Sequence, residues 1–502
     1  MFRQSVSKLR KVYSFHNSFI PLYNFSSTPS FYVQQFNTCC LSEFAYYVES
    51  NGEAAIIDPL REVKPYIELA KSRNAKIKYV IETHFHADFV SGHLDLSKAT
   101  GAKIVYGPEA KAEFNLHSAK DGEELPLGSI SLKVLHTPGH TMESSCFLLQ
   151  DENKKPHYIF TGDTLFLGGV GRPDLAVKAK EVTKEDLAGL LYESLKKKIM
   201  PLDDNIIVYP GHGAGSSCGK SISKGSSSTL AEQKKTNYAL QPMTKEQFIE
   251  VVANDLPTPP KYFFHDAKLN KTNYTNLDEV LQKNLKPLSV KQTKDLVSKG
   301  AIIVDCREVK TCLKTGIIPG STTISLTTPF AIWVGTLLKP ESNLIVLTEP
   351  GKEEEAIMRL ARVGFDNCAG FIEGGINEWI KQNEPIEKIK SLDTQSHLDV
   401  AAKQDQQISV LDVRNPSEWS VGVYNGSIRI PLAELEDRIG ELNKTDDIHI
   451  LCKSGVRSTI AYSLLRRNGF ENITVIEGGA DKLIEKGFKL DQYGNGPTSC
   501  SL

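Results

Sequence analysis

Acidic residues are absent from the first 42 positions of this 502-residue chain, where Arg3, Lys8, Arg10 and Lys11 stand among serines and aromatics. The stretch also lacks an apolar core, which excludes a secretory signal and leaves the composition of an organellar presequence. Residues 1–30 are therefore expected to be a mitochondrial transit peptide, and the mature chain to work in the mitochondrial matrix. No run of about 18 apolar residues occurs anywhere, so no membrane span is expected. A formal net charge of -2 gives no reason to expect nucleic-acid binding. The nine cysteines form no Cys-x-x-Cys pair, which argues against a structural zinc site and a disulfide framework and suits a reducing compartment. At 502 residues the chain needs more than one core.

The apolar run Ile77-Lys78-Tyr79-Val80-Ile81-Glu82 reads as a buried strand, and it ends in Thr83-His84-Phe85-His86-Ala87-Asp88-Phe89. Two imidazoles and a carboxylate in a loop at the carboxyl end of a strand can hold a metal on a rigid sheet. More candidates follow in Gly-containing turns after predicted strands: His140 in Thr137-Pro138-Gly139-His140-Thr141, Asp163 in Thr161-Gly162-Asp163-Thr164, and His212 in Tyr209-Pro210-Gly211-His212-Gly213. One such residue would ordinarily be a cap or a hydrogen-bonded turn residue. Their recurrence is what a site assembled from several loops requires. Strands are also expected at Ala54–Pro59, Ile104–Gly107, Leu132–Leu135 and Tyr158–Thr161, with a helix over 183–198 capped by Thr183. Residues 213–232, rich in Gly, Ser and Lys, read as a mobile surface loop, with Cys218 expected to be an exposed thiol; 263–285 reads as a linker.

The last 220 residues repeat. Ile302-Ile303-Val304-Asp305-Cys306-Arg307 matches Ser409-Val410-Leu411-Asp412-Val413-Arg414, and Phe371-Ile372-Glu373-Gly374-Gly375 matches Val475-Ile476-Glu477-Gly478-Gly479. A strand and a helix lie between the markers in each copy, which implies two small α/β domains with mostly parallel sheets. In the second copy Cys452-Lys453-Ser454-Gly455-Val456-Arg457-Ser458 joins a strand to a helix. A cysteine there meets backbone N–H groups and the positive end of the helix dipole; Lys453 and Arg457 add charge, and Gly455 allows a tight loop. Such a loop suits a sulfur-carrying nucleophile.

Together the four N-terminal motifs resemble the metallo-β-lactamase superfamily, which implies an αββα sandwich over residues 31–262. Dinuclear members carry a histidine where this chain has Phe89, and a phenyl ring donates no electron pair. The resemblance therefore implies one metal held by His84, His140 and Asp163, with His86, Asp88 and His212 as supporting hydrogen-bonding groups. Two histidines and a carboxylate form the facial triad of non-haem Fe(II) oxygenases, so one Fe(II) per chain is expected, with zinc as its competitor. The strings His84–His93, Gly168-Gly169-Val170-Gly171-Arg172-Pro173-Asp174 and Tyr209–Gly213 look like the persulfide dioxygenase branch. That branch implies oxidation of glutathione persulfide, or a similar small persulfide, by O2 to sulfite and thiol. Arg172 is the candidate to pair with a substrate carboxylate.

The cysteine loop resembles a rhodanese domain over 389–495, which implies Cys452 as the persulfide-forming nucleophile with thiosulfate and sulfite as partners. Four residues separate Cys452 from Arg457, against five in Cys-based phosphatases, which favours sulfur over phosphate. The first copy, 286–388, sets Thr348 opposite Cys452 and Glu353 opposite Arg457, so it reads as a silent rhodanese fold. The expected whole is an α/β and α+β multidomain chain, a persulfide dioxygenase-rhodanese fusion, with room for homo-oligomerisation. A glyoxalase II type thioester hydrolase and a non-catalytic sulfur carrier are the alternatives.

Overall fold

Side-chain alternation along the strands decides the N-terminal architecture. In β3 (Glu53–Ile57), Ala55 and Ile57 join one buried cluster with Val48, Ile81, Leu132, Val134 and Phe160, whereas Ala54 and Ile56 join another with Tyr66, Ala70 and Leu96. Successive residues thus serve two interfaces, as a strand buried on both faces must. The first cluster fills the space between two six-stranded sheets. The second packs the helices Lys64–Ser72 and His93–Thr100 on the outer face of the first sheet, while a third, including Leu191, Leu195, Ile199 and Phe248, packs helices on the outer face of the second. The result is the expected αββα sandwich.

The described residues of this computed structural model are 30–177, 182–254, 256, 258–402 and 408–492, so the expected presequence up to residue 29 lies outside them. The first sheet runs in chain order through β1 (Tyr32–Thr38), β2 (Glu43–Ser50), β3, β4 (Lys76–Ile81), β5 (Lys103–Tyr106) and β6 (His117–Ser118). The second comprises β7 (Glu124–Leu127), β8 (Ile130–His136), β9 (Ser145–Gln150), β10 (Pro156–Gly162), β11 (Ile207–Pro210) and β12 (Ser228–Thr229). β10 and β11 are parallel with Gly162 opposite Pro210, which brings Asp163 and His212 to the same sheet end. The Ser145 N–H donates to the Thr83 carbonyl at 2.9 Å and ties the two sheets together beside them.

Two five-stranded parallel sheets follow, built alike. One has the order β13-β17-β16-β14-β15, with β13 (Pro287–Leu288), β14 (Ile302–Asp305), β15 (Thr322–Thr323), β16 (Leu344–Leu347) and β17 (Cys368–Ile372). The other has the order β18-β22-β21-β19-β20, with β18 (Ser391–Leu392), β19 (Ile408–Asp412), β20 (Ile428–Arg429), β21 (Asp447–Leu451) and β22 (Ile473–Ile476). The repeated Asp-x-Arg has the same task in each copy. Arg307 donates to Asp305 and to the Gly316 carbonyl at 2.9 Å, and Arg414 donates to Asp412 and to the Gly422 carbonyl at 2.8 Å. The pairs are buried and hold the following turn, which explains the motif's recurrence without any catalytic role.

Two expectations are corrected. Residues 213–232 hold β12 and the start of the helix Leu230–Thr236, and Cys218 is 1% exposed rather than a surface thiol. The segment 263–285, read as a linker from its polarity, contains the helices Phe263–Leu269 and Leu277–Asn284, and Asn270 between them is fully buried. Polarity misled because Asn270 is polar in order to bond backbone in the interior.

Candidate metal centre and sulfur-transfer loop

Loops after β4, β8 and β10 bring His84, His140 and Asp163 together, with their donor atoms within 4.8 Å of one another. All three are 1% exposed. His140 Nε2 lies 3.5 Å and His84 Nε2 lies 3.9 Å from Asp163 Oδ2. The far side of each imidazole is occupied: His140 Nδ1 donates to the Arg172 carbonyl at 2.8 Å, and His84 Nδ1 sits 3.0 Å from the Thr83 hydroxyl. This directs both Nε2 lone pairs to the centre. Gly171 makes the Arg172 contact feasible, since a Cβ there would stand 2.1 Å from the Asp163 carbonyl and 2.8 Å from His140 Nδ1.

His84 Nε2 and Asp163 Oδ2 are buried with no hydrogen-bond partner. An orphaned buried polar atom costs about 1–3 kcal/mol. Two such atoms facing each other beside a third donor have a ready explanation in a cation that satisfies them all, so the residues fit a metal. Burial and the charge of His86 push the His84 pKa down, which keeps the imidazole neutral as a ligand must be.

Asp88 and His212 form a chain that ends on Asp163: His212 Nδ1 lies 2.8 Å from Asp163 Oδ1, and its Nε2 2.8 Å from Asp88 Oδ2. Burial opposes a charged His212, but the carboxylates of Asp163 and Asp88 outweigh it and raise the pKa. His86 turns elsewhere, with Nε2 at 3.1 Å from Asp58 and 3.3 Å from Glu82. Its link to the centre is indirect, through Asp58, which accepts from the Thr83 N–H and hydroxyl. Burial lifts the Glu82 pKa to about 7. Phe89 is fully buried, its ring 4.4 Å from that of His86.

The Arg172 guanidinium, expected to pair with a substrate carboxylate, is engaged within the protein. It is 2% exposed, and Asp174 takes its Nε at 2.6 Å and its Nη2 at 2.7 Å. The neighbouring carboxylate, two residues on, already occupies the two-pronged face expected to receive a ligand. Sequence reasoning missed Asp58, Glu82 and Asn270, and it expected Cys218 at the surface rather than beside Asp88 and His212. An Asp closing a buried strand before Pro59 was a usable signal for Asp58, which holds φ at 51°. Cys218, whose sulfur lies within 4.8 Å of Asp88 and His212 donor atoms, had none.

In the second repeat the Cys452 loop closes over the N-terminus of the helix Val456–Arg467. Cys452 is fully buried, and the Gly455 N–H, from a residue with φ of 91°, donates to its sulfur at 3.0 Å. Gly479 has no room for a side chain, since a Cβ would lie 2.2 Å from the Cys452 carbonyl, so the Gly-Gly marker is the loop's support. The Ser458 hydroxyl is buried with no hydrogen-bond partner. Lys453 is exposed, and Arg457 is paired at both prongs with Glu418, at 2.6 and 2.7 Å. The charge expected to face the sulfur is therefore shared with a carboxylate.

Comparison with known proteins agrees with this geometry. The family described as Metallo-beta-lactamase superfamily matches residues 40–212, and the Rhodanese-like domain matches 289–382 and 396–486. Persulfide dioxygenase ETHE1, mitochondrial, of Homo sapiens is 31% identical over 215 residues, 42% of this chain and 76% of that protein. A probable hydroxyacylglutathione hydrolase of Schizosaccharomyces pombe is 33% identical over 174 residues, 34% of this chain and 63% of that protein. A crystal structure of a metallo-beta-lactamase from Staphylococcus aureus subsp. aureus COL superposes with a TM-score of 0.62 at 32% identity, covering 68% of this chain and 99% of that one. With three buried donors at the strand ends and a cysteine loop in a repeated parallel-sheet fold, the chain belongs to the metallo-beta-lactamase superfamily, joined to two rhodanese-like domains.

Proposed function

We propose that this protein oxidises a low-molecular-weight persulfide, glutathione persulfide in the first instance, with O2 in the mitochondrial matrix, and couples that reaction to rhodanese sulfur transfer. Residues 31–262 form the oxidising unit, 286–388 a silent repeat and 389–495 the sulfur-transferring unit. The observation that carries the reading is a buried set of two imidazoles and one carboxylate; it is supported by Phe89 standing where the family resemblance puts a histidine in two-metal members. His84, His140 and Asp163 would hold one Fe(II). Bound there, ferrous iron supplies open positions for both reactants and an electron path between them. His212 keeps a proton between Asp163 and Asp88, which holds the carboxylate in place. In the net reaction persulfide, O2 and water give sulfite, thiol and protons.

At the second site, Cys452 attacks the outer sulfur of thiosulfate; the S–S bond breaks, sulfite leaves with the electron pair, and Cys452 carries the persulfide. The Gly455 N–H and the helix N-terminus stabilise that anion. Arg457, Lys453 and Gly455 shape the entrance.

The hydroxyacylglutathione hydrolase relatives support a second reading, thioester hydrolysis. Metal analysis and an oxygen electrode separate the two. One iron per chain and O2 uptake with glutathione persulfide are expected; two zinc ions with thioesterase activity and no O2 uptake would establish the hydrolase.

A further inference from the structure

The His84 loop is held from outside its own domain. Asn270, fully buried between the two helices that lead to the first repeat, donates from Nδ2 to the His86 carbonyl at 2.8 Å and to the Phe89 carbonyl at 2.7 Å. Its Oδ1 accepts the Ser91 N–H at 2.9 Å. One side chain thus satisfies backbone groups on both sides of Asp88. Tyr274 adds a hydroxyl bond to the Ser91 carbonyl.

The second restraint comes from the repeat itself. The helix Glu353–Ala361 ends against the metal loops, and the Arg362 carbonyl accepts the Val90 N–H at 2.8 Å. Arg61, on the loop after β3, is 1% exposed and donates to the Ala361 carbonyl at 2.8 Å, to Asp366 at 2.7 and 3.1 Å, and to the Thr275 carbonyl at 2.6 Å. A cation at the last carbonyls of a helix is favourably placed. In return Arg362 reaches Glu62 and donates to Cys40 Sγ at 3.0 Å. The loops carrying Arg61 and Ser91 also pair, with the Gly92 N–H donating to the Pro59 carbonyl at 2.7 Å.

The same helix in the second repeat begins at the end of the Cys452 loop. In the first repeat it begins at a loop with Thr348 in place of the thiol, and its other end grips the metal loop.

We propose that the first repeat, silent in sulfur transfer, is the clamp that sets the His84 loop, with Asn270 and Arg61 as positioning residues for the metal centre. The consequence for the metal rests on the reading of His84, His140 and Asp163 as ligands; the clamping of the loop does not. Both are tested in the full chain with Asn270→Ala, Arg61→Met and the conservative Arg61→Lys. Hydrogen–deuterium exchange of the metal-free protein reads the clamp directly. Each lost buried hydrogen bond is expected to raise local opening about tenfold, so amides of residues 84–92 should exchange at least that much faster in both truncating variants. Cys452-dependent sulfur transfer, which reports the second repeat, is expected to stay unchanged, and Arg61→Lys to recover part of the protection. Unchanged exchange in this loop overturns the clamp, whatever the metal does. Titration with Co2+ then reads the centre: weaker binding and an altered ligand-field spectrum are expected in Asn270→Ala. Wild-type protein with no His84-dependent Co2+ binding would instead overturn the metal reading. Faster exchange with an identical Co2+ spectrum and affinity would overturn the positioning role.

Discussion

Asp163 gives Oδ1 to His212 Nδ1 at 2.8 Å and keeps Oδ2, buried and without a hydrogen bond, toward the His84 and His140 imidazoles. On the proposed reading the histidine orients the carboxylate rather than supplying a lone pair to the centre. Loss of such a supporting bond costs about 10–100-fold in metal affinity. We expect His212→Asn to bind iron in that weakened range, measured by competition with a chelator, and His84→Ala to lose binding altogether. Equal loss in both variants would make His212 a direct ligand.

On the proposed reading, Phe89 is the residue that limits the centre to one metal. Replacing it with histidine adds a donor near Asp88 and removes the ring packed on His86. Phe89→His is expected to raise zinc content from one toward two ions per chain by elemental analysis and to lower stability by a few kcal/mol, about the cost of truncating a buried Phe. A variant that still takes one ion would show that something other than Phe89 limits the stoichiometry.

Arg457 and Glu418 act as one unit, half-buried at the entrance to the Cys452 loop. Arg457→Met leaves a carboxylate uncompensated beside an anionic substrate, so the KM for thiosulfate should rise about tenfold or more. The added change Glu418→Gln should restore much of it. Burial works to lower the Arg457 pKa, but Glu418 outweighs it, so the pair stays charged across ordinary pH. Additive effects of the two changes would argue that the residues act separately.

His397 and His449 meet through their Nδ1 atoms at 2.8 Å in the core of the second repeat, where one must donate and the other accept. Burial, then the neighbouring His449, pushes His397 down to about 4, and burial also lowers His449. The unfolded chain takes up protons near the ordinary value of 6.5 while the folded pair resists until lower pH. The pair's contribution to stability is therefore complete above 6.5 and is lost as pH falls from 6.5 toward 4. Exchange protection of β21 should fall over this window, and His397→Gln should flatten the fall. A pH-independent wild type would sink the assignment.

Much of the architecture was legible because it depends on short-range chemistry. Short apolar runs ending in Gly- and Pro-containing turns marked the strands, and Thr183 capped its helix as expected, through a reciprocal bond with Asp186. The repeat was visible because Asp-x-Arg and Gly-Gly serve the same backbone needs twice. The engagement of Arg172 was not legible, because a spacing of two residues does not say that both prongs of its guanidinium close on the Asp174 carboxylate.

The sequence alone therefore determined the donor types, the single thiol set before a helix in the second repeat, and the phenyl ring at position 89. These are properties of individual side chains. Only the tertiary structure decided what each donor faces: His84 and His140 turned by the Thr83 hydroxyl and the Arg172 carbonyl, His86 drawn to Asp58 and Glu82, and the metal loop held by Asn270 and by the end of a helix more than 260 residues away. Orientation and burial are set by partners distant in the chain, and no local pattern encodes them.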